Sequence, residues 1–152
     1  MRILMVCLGN ICRSPMAEGV LRKKLIDNRI DWVQVDSCGF VGSGEPPHPM
    51  AVQTAKKHGI FIENQRQRRF FARDFELFDK IYVMDSGNYQ DVKDVARNED
   101  DMQKVDYLLN EVFPGSNKRV PDPYGGTECD YKHAFSLIEQ ACEAIVEKLR
   151  IT

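Results

Sequence analysis

No stretch of this sequence is apolar for long enough to span a bilayer, and the short N-terminal run Ile3-Leu4-Met5-Val6 lacks both the length and the cleavage site of a signal peptide. Neither sign of charge dominates: 21 Lys and Arg stand against 23 Asp and Glu, for a net charge of −2. With no long basic tail, affinity for nucleic acid through phosphate neutralisation is not expected. The three histidines, His48, His58 and His133, are scattered, and Cys7 and Cys12 have no second paired set, so no zinc pattern exists and no metal is expected. The glycine-rich segment 40–47 lacks the G-x-G-x-x-G of a dinucleotide site. Five cysteines, an odd number without disulfide-scaffold spacing, fit a reducing compartment, and the cytoplasm is the expected location. There is no internal repeat, low-complexity tract or linker, so a single domain over 1–152 is expected. Its hydrophobic share of 43% and charged share of 29% are ordinary for a chain with a sizeable core.

What is there concentrates in Val6-Cys7-Leu8-Gly9-Asn10-Ile11-Cys12-Arg13-Ser14-Pro15. Ile3 to Val6 leads in as a strand, and Ser14 as N-cap with Pro15 at the first helical position leads out into a helix. The loop between them caps a helix N-terminus, where unpartnered backbone N–H groups and the helix dipole favour an oxyanion such as phosphate. Residues Leu8 to Ser14 form this cradle, and Gly9 is expected to let the backbone turn inward. A thiol at the mouth of such a loop sits in a field that favours its thiolate, which makes Cys7 a candidate nucleophile. Arg13 offers a planar fork that grips two phosphate oxygens at once, and the Ser14 hydroxyl can donate to the sulfur. Cys-x5-Arg-Ser thus supplies a nucleophile, oxyanion donors and a cationic clamp.

Along the chain, helices are expected over Pro15 to Asn28, Pro49 to Lys57, a segment begun by Ser86 as cap, and Tyr131 to Leu149. Strands are expected over Trp32 to Asp36, Lys80 to Met84 and Val105 to Leu109, with Glu99 to Asp101 as an acidic turn and Gln65 to Arg73 as a loop. Strands alternating with helices imply an α/β fold, a doubly wound four-stranded parallel sheet with helices on both faces. In such a sheet the site lies beyond the carboxyl ends of the strands, where Cys7, Ser37, Asp85 and the Asp122 loop emerge. Asn10 is suited to pin the loop's turn, with Ser37 as a partner; ordinary turn and strand-end polarity explains both equally well.

The N-terminal Cys-x5-Arg-Ser-Pro, followed in order by Asp36-Ser37, His58-Gly59-Ile60, Met84-Asp85 and Asp122-Pro123-Tyr124, resembles the low-molecular-weight protein tyrosine phosphatases over nearly the whole chain. The resemblance implies the same doubly wound fold with its phosphate loop after the first strand. It also implies hydrolysis of phosphotyrosine in proteins through a phosphocysteine on Cys7, without metal or cofactor. Asp-Pro alone is a turn signal. The match of Asp122-Pro123-Tyr124 to the family's Asp-Pro-Tyr is what makes Asp122 the expected general acid and base, with Asp85 as a supporting acceptor and runner-up acid. Leu8, Ile11 and Tyr124 are expected to wall the pocket. The family often adds an aromatic from the loop after the second strand, which is shorter here, and Phe40 is the expected substitute. Arg68 matches a family arginine, whereas Gln65 stands where a bracing histidine is common. The resemblance further implies a phosphotyrosine protein as substrate, a tyrosine kinase among the candidates, a monomer, and a redox-sensitive Cys7–Cys12 pair; with no long apolar run, no membrane partner is expected.

Three other readings are open to such a chain. A thiol-linked arsenate reductase needs relay cysteines in mid-chain, and residues 39–128 contain none. A protein-arginine phosphatase typically has threonine at the position of Ile11, and isoleucine favours phosphotyrosine. A non-catalytic phosphotyrosine-binding or redox-sensing module is disfavoured by the joint presence of Cys7, Arg13 and Asp122. Turnover of a generic aryl phosphate separates it from an enzyme.

Overall fold

The structure, a computed structural model, describes residues 1–151; Thr152, the last residue of the expected 1–152 span, lies outside the described residues. In chain order the elements are β1 (Arg2–Val6), α1 (Arg13–Asp27), β2 (Gln34–Cys38), α2 (Pro49–Lys56), α3 (Asp74–Leu77), β3 (Lys80–Val83), α4 (Ser86–Val95), α5 (Glu99–Gln103), β4 (Val105–Tyr107) and α6 (Glu128–Arg150), with a 3₁₀ turn at Leu108–Glu111. The four strands form one sheet in the order β2-β1-β3-β4, every pair parallel. The expected α/β fold class is the observed one.

β1 is apolar without alternation because both its faces are covered. Ile3 and Met5 join Tyr82 in a core with α1, α2 and α6, while Leu4 and Val6 join Ile81, Val83, Phe70, Phe75, Phe78 and Val92 on the other face. No described helix is long and apolar enough to cross a membrane.

The expected boundaries shift where caps and pairing decide them. β2 begins two residues later than expected and runs through Ser37 and Cys38, because Met5↔Ser37 and Val6↔Cys38 extend the ladder to the end of β1. α1 starts at Arg13 with Cys12 in the N-cap position, so Ser14 is a buried helical residue and not the cap. Asp85 caps α4 by accepting from Asn88 N–H, so the expected cap Ser86 is its first residue. The acidic segment after Asn98 is a short helix, α5, in which the Asp101 carboxylate accepts from Arg97. α6 starts three residues early on a capping box between Thr127 and Asp130. β4 is cut short by the 3₁₀ turn, and α3 has no counterpart among the expected elements.

Candidate active site

Between β1 and α1 the chain wraps residues 7–13 around a small volume, and its backbone polarity is sorted by what lies outside it. The Leu8 carbonyl accepts from Phe40 and Val41 N–H, that of Ile11 from His48 N–H, and that of Cys12 from Met16 N–H. The Gly9 carbonyl accepts from Gln67 Nε2 at 2.6 Å. A trans peptide points its oxygen and its N–H in opposite directions. With these four oxygens held outward, the N–H groups of residues 9, 10, 12 and 13 are presented on the inner side, next to the N-terminal end of the α1 dipole. This is a cradle for an oxyanion.

The turn in the loop is made at Asn10, with φ of +53°, and not at Gly9, the residue expected to provide it. Asparagine tolerates the left-handed region. Its side chain makes three of the four hydrogen bonds open to it: Nδ2 donates to Ser14 Oγ at 2.9 Å and Ser37 Oγ at 3.0 Å, and Oδ1 accepts from Arg68 N–H at 3.1 Å. A glycine is required instead at 39, where a Cβ would lie 2.6 Å from the Leu8 carbonyl oxygen and 2.9 Å from Asn10 N.

Cys7, 3% exposed, places Sγ 3.0 Å from Ser14 Oγ and accepts from Asn10 N–H at 3.3 Å. Behind Asn10, Ser37 Oγ donates to Glu18 Oε1 at 2.7 Å, and Glu18 pairs with Arg22. Burial raises the Glu18 carboxyl above its ordinary range, and the Ser37 and Arg22 contacts oppose that shift. Gln65 braces the start of α1 by donating to the Pro15 carbonyl. Arg68 bridges Asp36 and Asp74 while its N–H holds Asn10.

Arg13 is buried, with NH1 donating to Asp85 Oδ2 at 2.7 Å and to the Val120 carbonyl at 2.9 Å. The other three guanidinium hydrogens belong to Nε and NH2. NH2 is 3.6 Å from Asp122 Oδ2. Asp85 is occupied at both oxygens, by Asn88 N–H and Arg13. Asp122 lies between Pro121 and Pro123, accepts from Tyr124 N–H at 3.1 Å, and is 48% exposed at its side chain. The Val120 N–H donates to the Met84 carbonyl, which ties this loop to the end of β3.

A cavity of about 280 Å³ opens over the loop, lined by Cys7, Leu8, Gly9, Ile11, Cys12, Arg13, Val41, Gln67, Asp122 and Tyr124. Phe40, expected at its wall, packs instead on Phe70 with ring centroids 5.6 Å apart, in the core on the other face of the sheet. The next residue, Val41, takes the wall position. Tyr124 is propped by an edge contact to the His48 ring, which stacks on Tyr131. Cys12 Sγ lies 3.4 Å from Tyr131 Oη, and burial pushes its thiol up to about 11, the Tyr131 hydrogen bond opposing. Among the described residues no group of three or more His, Cys, Asp or Glu side chains is arranged to hold a metal ion.

Val41, Gln67, Gly39, Glu18 and His48 were not singled out from sequence. The one signal the sequence carries is at Glu18, an acid that falls on the apolar stripe of α1, three and seven residues before Leu21 and Leu25. The others are placed by contacts between segments far apart in the chain.

A family model described as low molecular weight phosphotyrosine protein phosphatase matches residues 2–152. The Gallus gallus protein of that name is 36% identical over 150 residues, covering 96% of this chain and 94% of its own. Among solved structures, a protein tyrosine phosphatase from Entamoeba histolytica with Hepes in the active site superposes with a TM-score of 0.91 at 31% identity, covering 99% of this chain and 97% of its own. An arginine phosphatase from Geobacillus stearothermophilus superposes at 0.86 with 28% identity, covering 99% and 93%.

Proposed function

The chain belongs to the low molecular weight phosphotyrosine protein phosphatases, a family of cysteine-dependent hydrolases, and from that premise we propose which residues carry the reaction. Cys7 attacks the phosphorus of phosphotyrosine while Asp122 gives its proton to the departing phenol, whose pKa of about 10 makes an unprotonated departure costly. A phosphocysteine remains. Asp122, now a carboxylate, takes a proton from the water that attacks the phosphocysteine, and the thiolate leaves. Arg13 and the loop N–H groups hold the equatorial oxygens in both displacements, and Ser14 and Asn10 N–H steady the sulfur. Ser37 and Asp85 support this set, the one through Asn10 and the other through Arg13.

The observation that carries the reading is Cys7 at the floor of a cradle whose carbonyls are bonded outward, with Arg13 and Asp122 on the same cavity. Leu8, Ile11, Val41 and Tyr124 give that cavity an apolar wall suited to an aryl ring. Isoleucine at 11, where an arginine phosphatase typically has threonine, favours phosphotyrosine over phosphoarginine. We propose a single phosphatase domain over 1–152, acting as a monomer in the cytoplasm on phosphotyrosine proteins, with a tyrosine kinase among them. The test is release of phosphate from phosphotyrosine and from phosphoarginine peptides. Faster release from phosphoarginine overturns the substrate assignment.

Arg13→Lys is expected to lower kcat/KM by roughly 10²-fold or more, because an ammonium cannot bond Asp85 and the Val120 carbonyl and still grip two phosphate oxygens. Steady-state kinetics with an aryl phosphate checks this, and near-native values remove Arg13 from the clamp.

Cys12 shares the loop with Cys7, and peroxide is expected to convert Cys7 to a sulfenic acid that Cys12 displaces as a disulfide, releasing water. Only the Cys12 thiolate attacks. With that thiol pushed up to about 11, closure should quicken by nearly tenfold per pH unit over the neutral and mildly alkaline range. Mass spectrometry after mild oxidation checks it: a Cys7 sulfinic acid without a Cys7–Cys12 link defeats the pairing.

A further inference from the structure

Of the four signature-loop carbonyls bonded outward, those of Leu8, Ile11 and Cys12 are held by backbone N–H groups. That of Gly9 is held by a side chain, the amide of Gln67. Gln67 is itself stitched to the loop after β2: its N–H donates to the Glu45 carbonyl at 2.8 Å and its carbonyl accepts from Gly44 N–H at 2.9 Å. The amide has one workable orientation. Its Oε1 is buried and has no partner among the described residues. Turning the amide over would set that oxygen against the Gly9 oxygen, two acceptors with no proton between them. Gly42, with φ of +74°, makes room for it, since a Cβ there would lie 2.4 Å from Nε2 and 2.5 Å from Oε1.

We propose that Gln67 is a positioning residue that acts on the Cys7 sulfur through the Gly9–Asn10 peptide. At one end of this planar unit Gln67 Nε2 holds the oxygen; at the other the Asn10 N–H is aimed at Cys7 Sγ, 3.3 Å away. A donor on the oxygen fixes the plane and polarises the unit, which makes the N–H a stronger donor. Negative charge on the sulfur is therefore better stabilised, both before attack and when the thiolate leaves the phosphocysteine. The other groups around Cys7 are Ser14 of α1, 3.0 Å from the sulfur, and Cys12, Arg13 and Asp122, which line the same cavity, with Asp85 of the α4 cap behind Arg13. None of them contacts the Gln67 amide through a hydrogen bond, so a change at Gln67 reaches the sulfur by way of the peptide. The proposal rests on Cys7 being the nucleophile.

Gln67→Met is the test, because it keeps the side chain's length and lacks the donor, and its removal of the unpartnered acceptor offsets part of the cost of leaving the Gly9 carbonyl unbonded. Iodoacetamide, which is uncharged and does not compete for the anion cradle, is used to alkylate the full chain from pH 5.5 to pH 10, with the labelled cysteine identified by peptide mass mapping. Alkylation of Cys7 at pH 6 is expected to slow roughly threefold to tenfold in Gln67→Met, while the high-pH plateau is unchanged. Gly42→Ala, which dislodges the amide with Gln67 intact, should move the profile the same way, and the double variant should go no further than either alone. A Gln67→Met profile that superimposes on the native one overturns the proposal, as does a lowered melting temperature without any change in that profile. A label found away from Cys7 overturns the nucleophile assignment instead.

Discussion

Cys7→Ser is expected to lose turnover, to below about a per cent of the native rate, and still to bind inorganic phosphate. The two halves of this result come from different parts of the loop. A serine hydroxyl is un-ionised at neutral pH and is a far weaker nucleophile than a thiolate, so the first displacement fails. Removing a nucleophile outright costs enzymes many powers of ten. The cradle does not depend on the sulfur, because its carbonyls are turned outward by Phe40, Val41, His48, Met16 and Gln67 and its cation is Arg13. Single-turnover release of phenol measures the first half and calorimetric titration with phosphate the second. Activity above a few per cent removes Cys7 from the nucleophile's role, and loss of phosphate binding with activity would mean that the substitution has collapsed the loop.

The signature loop was legible as strand, loop and helix because the three follow one another within about fifteen residues, and the physics of a helix N-terminus needs no distant contact. Where the local signal erred, side-chain contacts had decided the matter, some within the loop and some from distant segments. Ser14 has the chemistry of a cap, yet its hydroxyl is occupied by Cys7 and the Asn10 amide inside the site, and Cys12 takes the cap position. Gly9 looked like the turn residue because glycine has the freest backbone. Asn10 adopts the left-handed conformation because its side chain finds three partners, on α1, β2 and the segment carrying Arg68. Phe40 and Val41 are adjacent, and which of them faces the cavity is set by Phe70, thirty residues on from Phe40. Gln67 could not be found at all from its neighbours, since its function depends on meeting Gly9 and on the space left by Gly42. The parallel sheet, by contrast, followed from the alternation of apolar runs and amphipathic stretches, which is a property of the whole chain and survives errors of two or three residues at every boundary.

Asp122→Asn separates a general acid from a structural turn residue by how its cost depends on the leaving group. Asparagine keeps an oxygen able to accept from Tyr124 N–H, the bond that shapes the Asp-Pro-Tyr turn, and Pro121 and Pro123 still restrict the backbone, so the loop is retained and only the ionisable proton is lost. Phosphotyrosine, whose phenol has a pKa of about 10, is then expected to lose roughly 10²–10⁴-fold in rate, the usual scale of general acid–base catalysis. Aryl phosphates with acidic phenols should lose far less, because their leaving oxygens carry negative charge readily. The first displacement must be measured alone, by phenol release in the first turnover, since Asp122 also serves as base in the second. Asp85 is no substitute, with one carboxylate oxygen capping α4 and the other holding Arg13. Its replacement by asparagine should therefore impair both substrate types together, through the clamp. If Asp122→Asn also costs the two substrate types the same factor in the first turnover, Asp122 shapes the loop and the proton comes from another group.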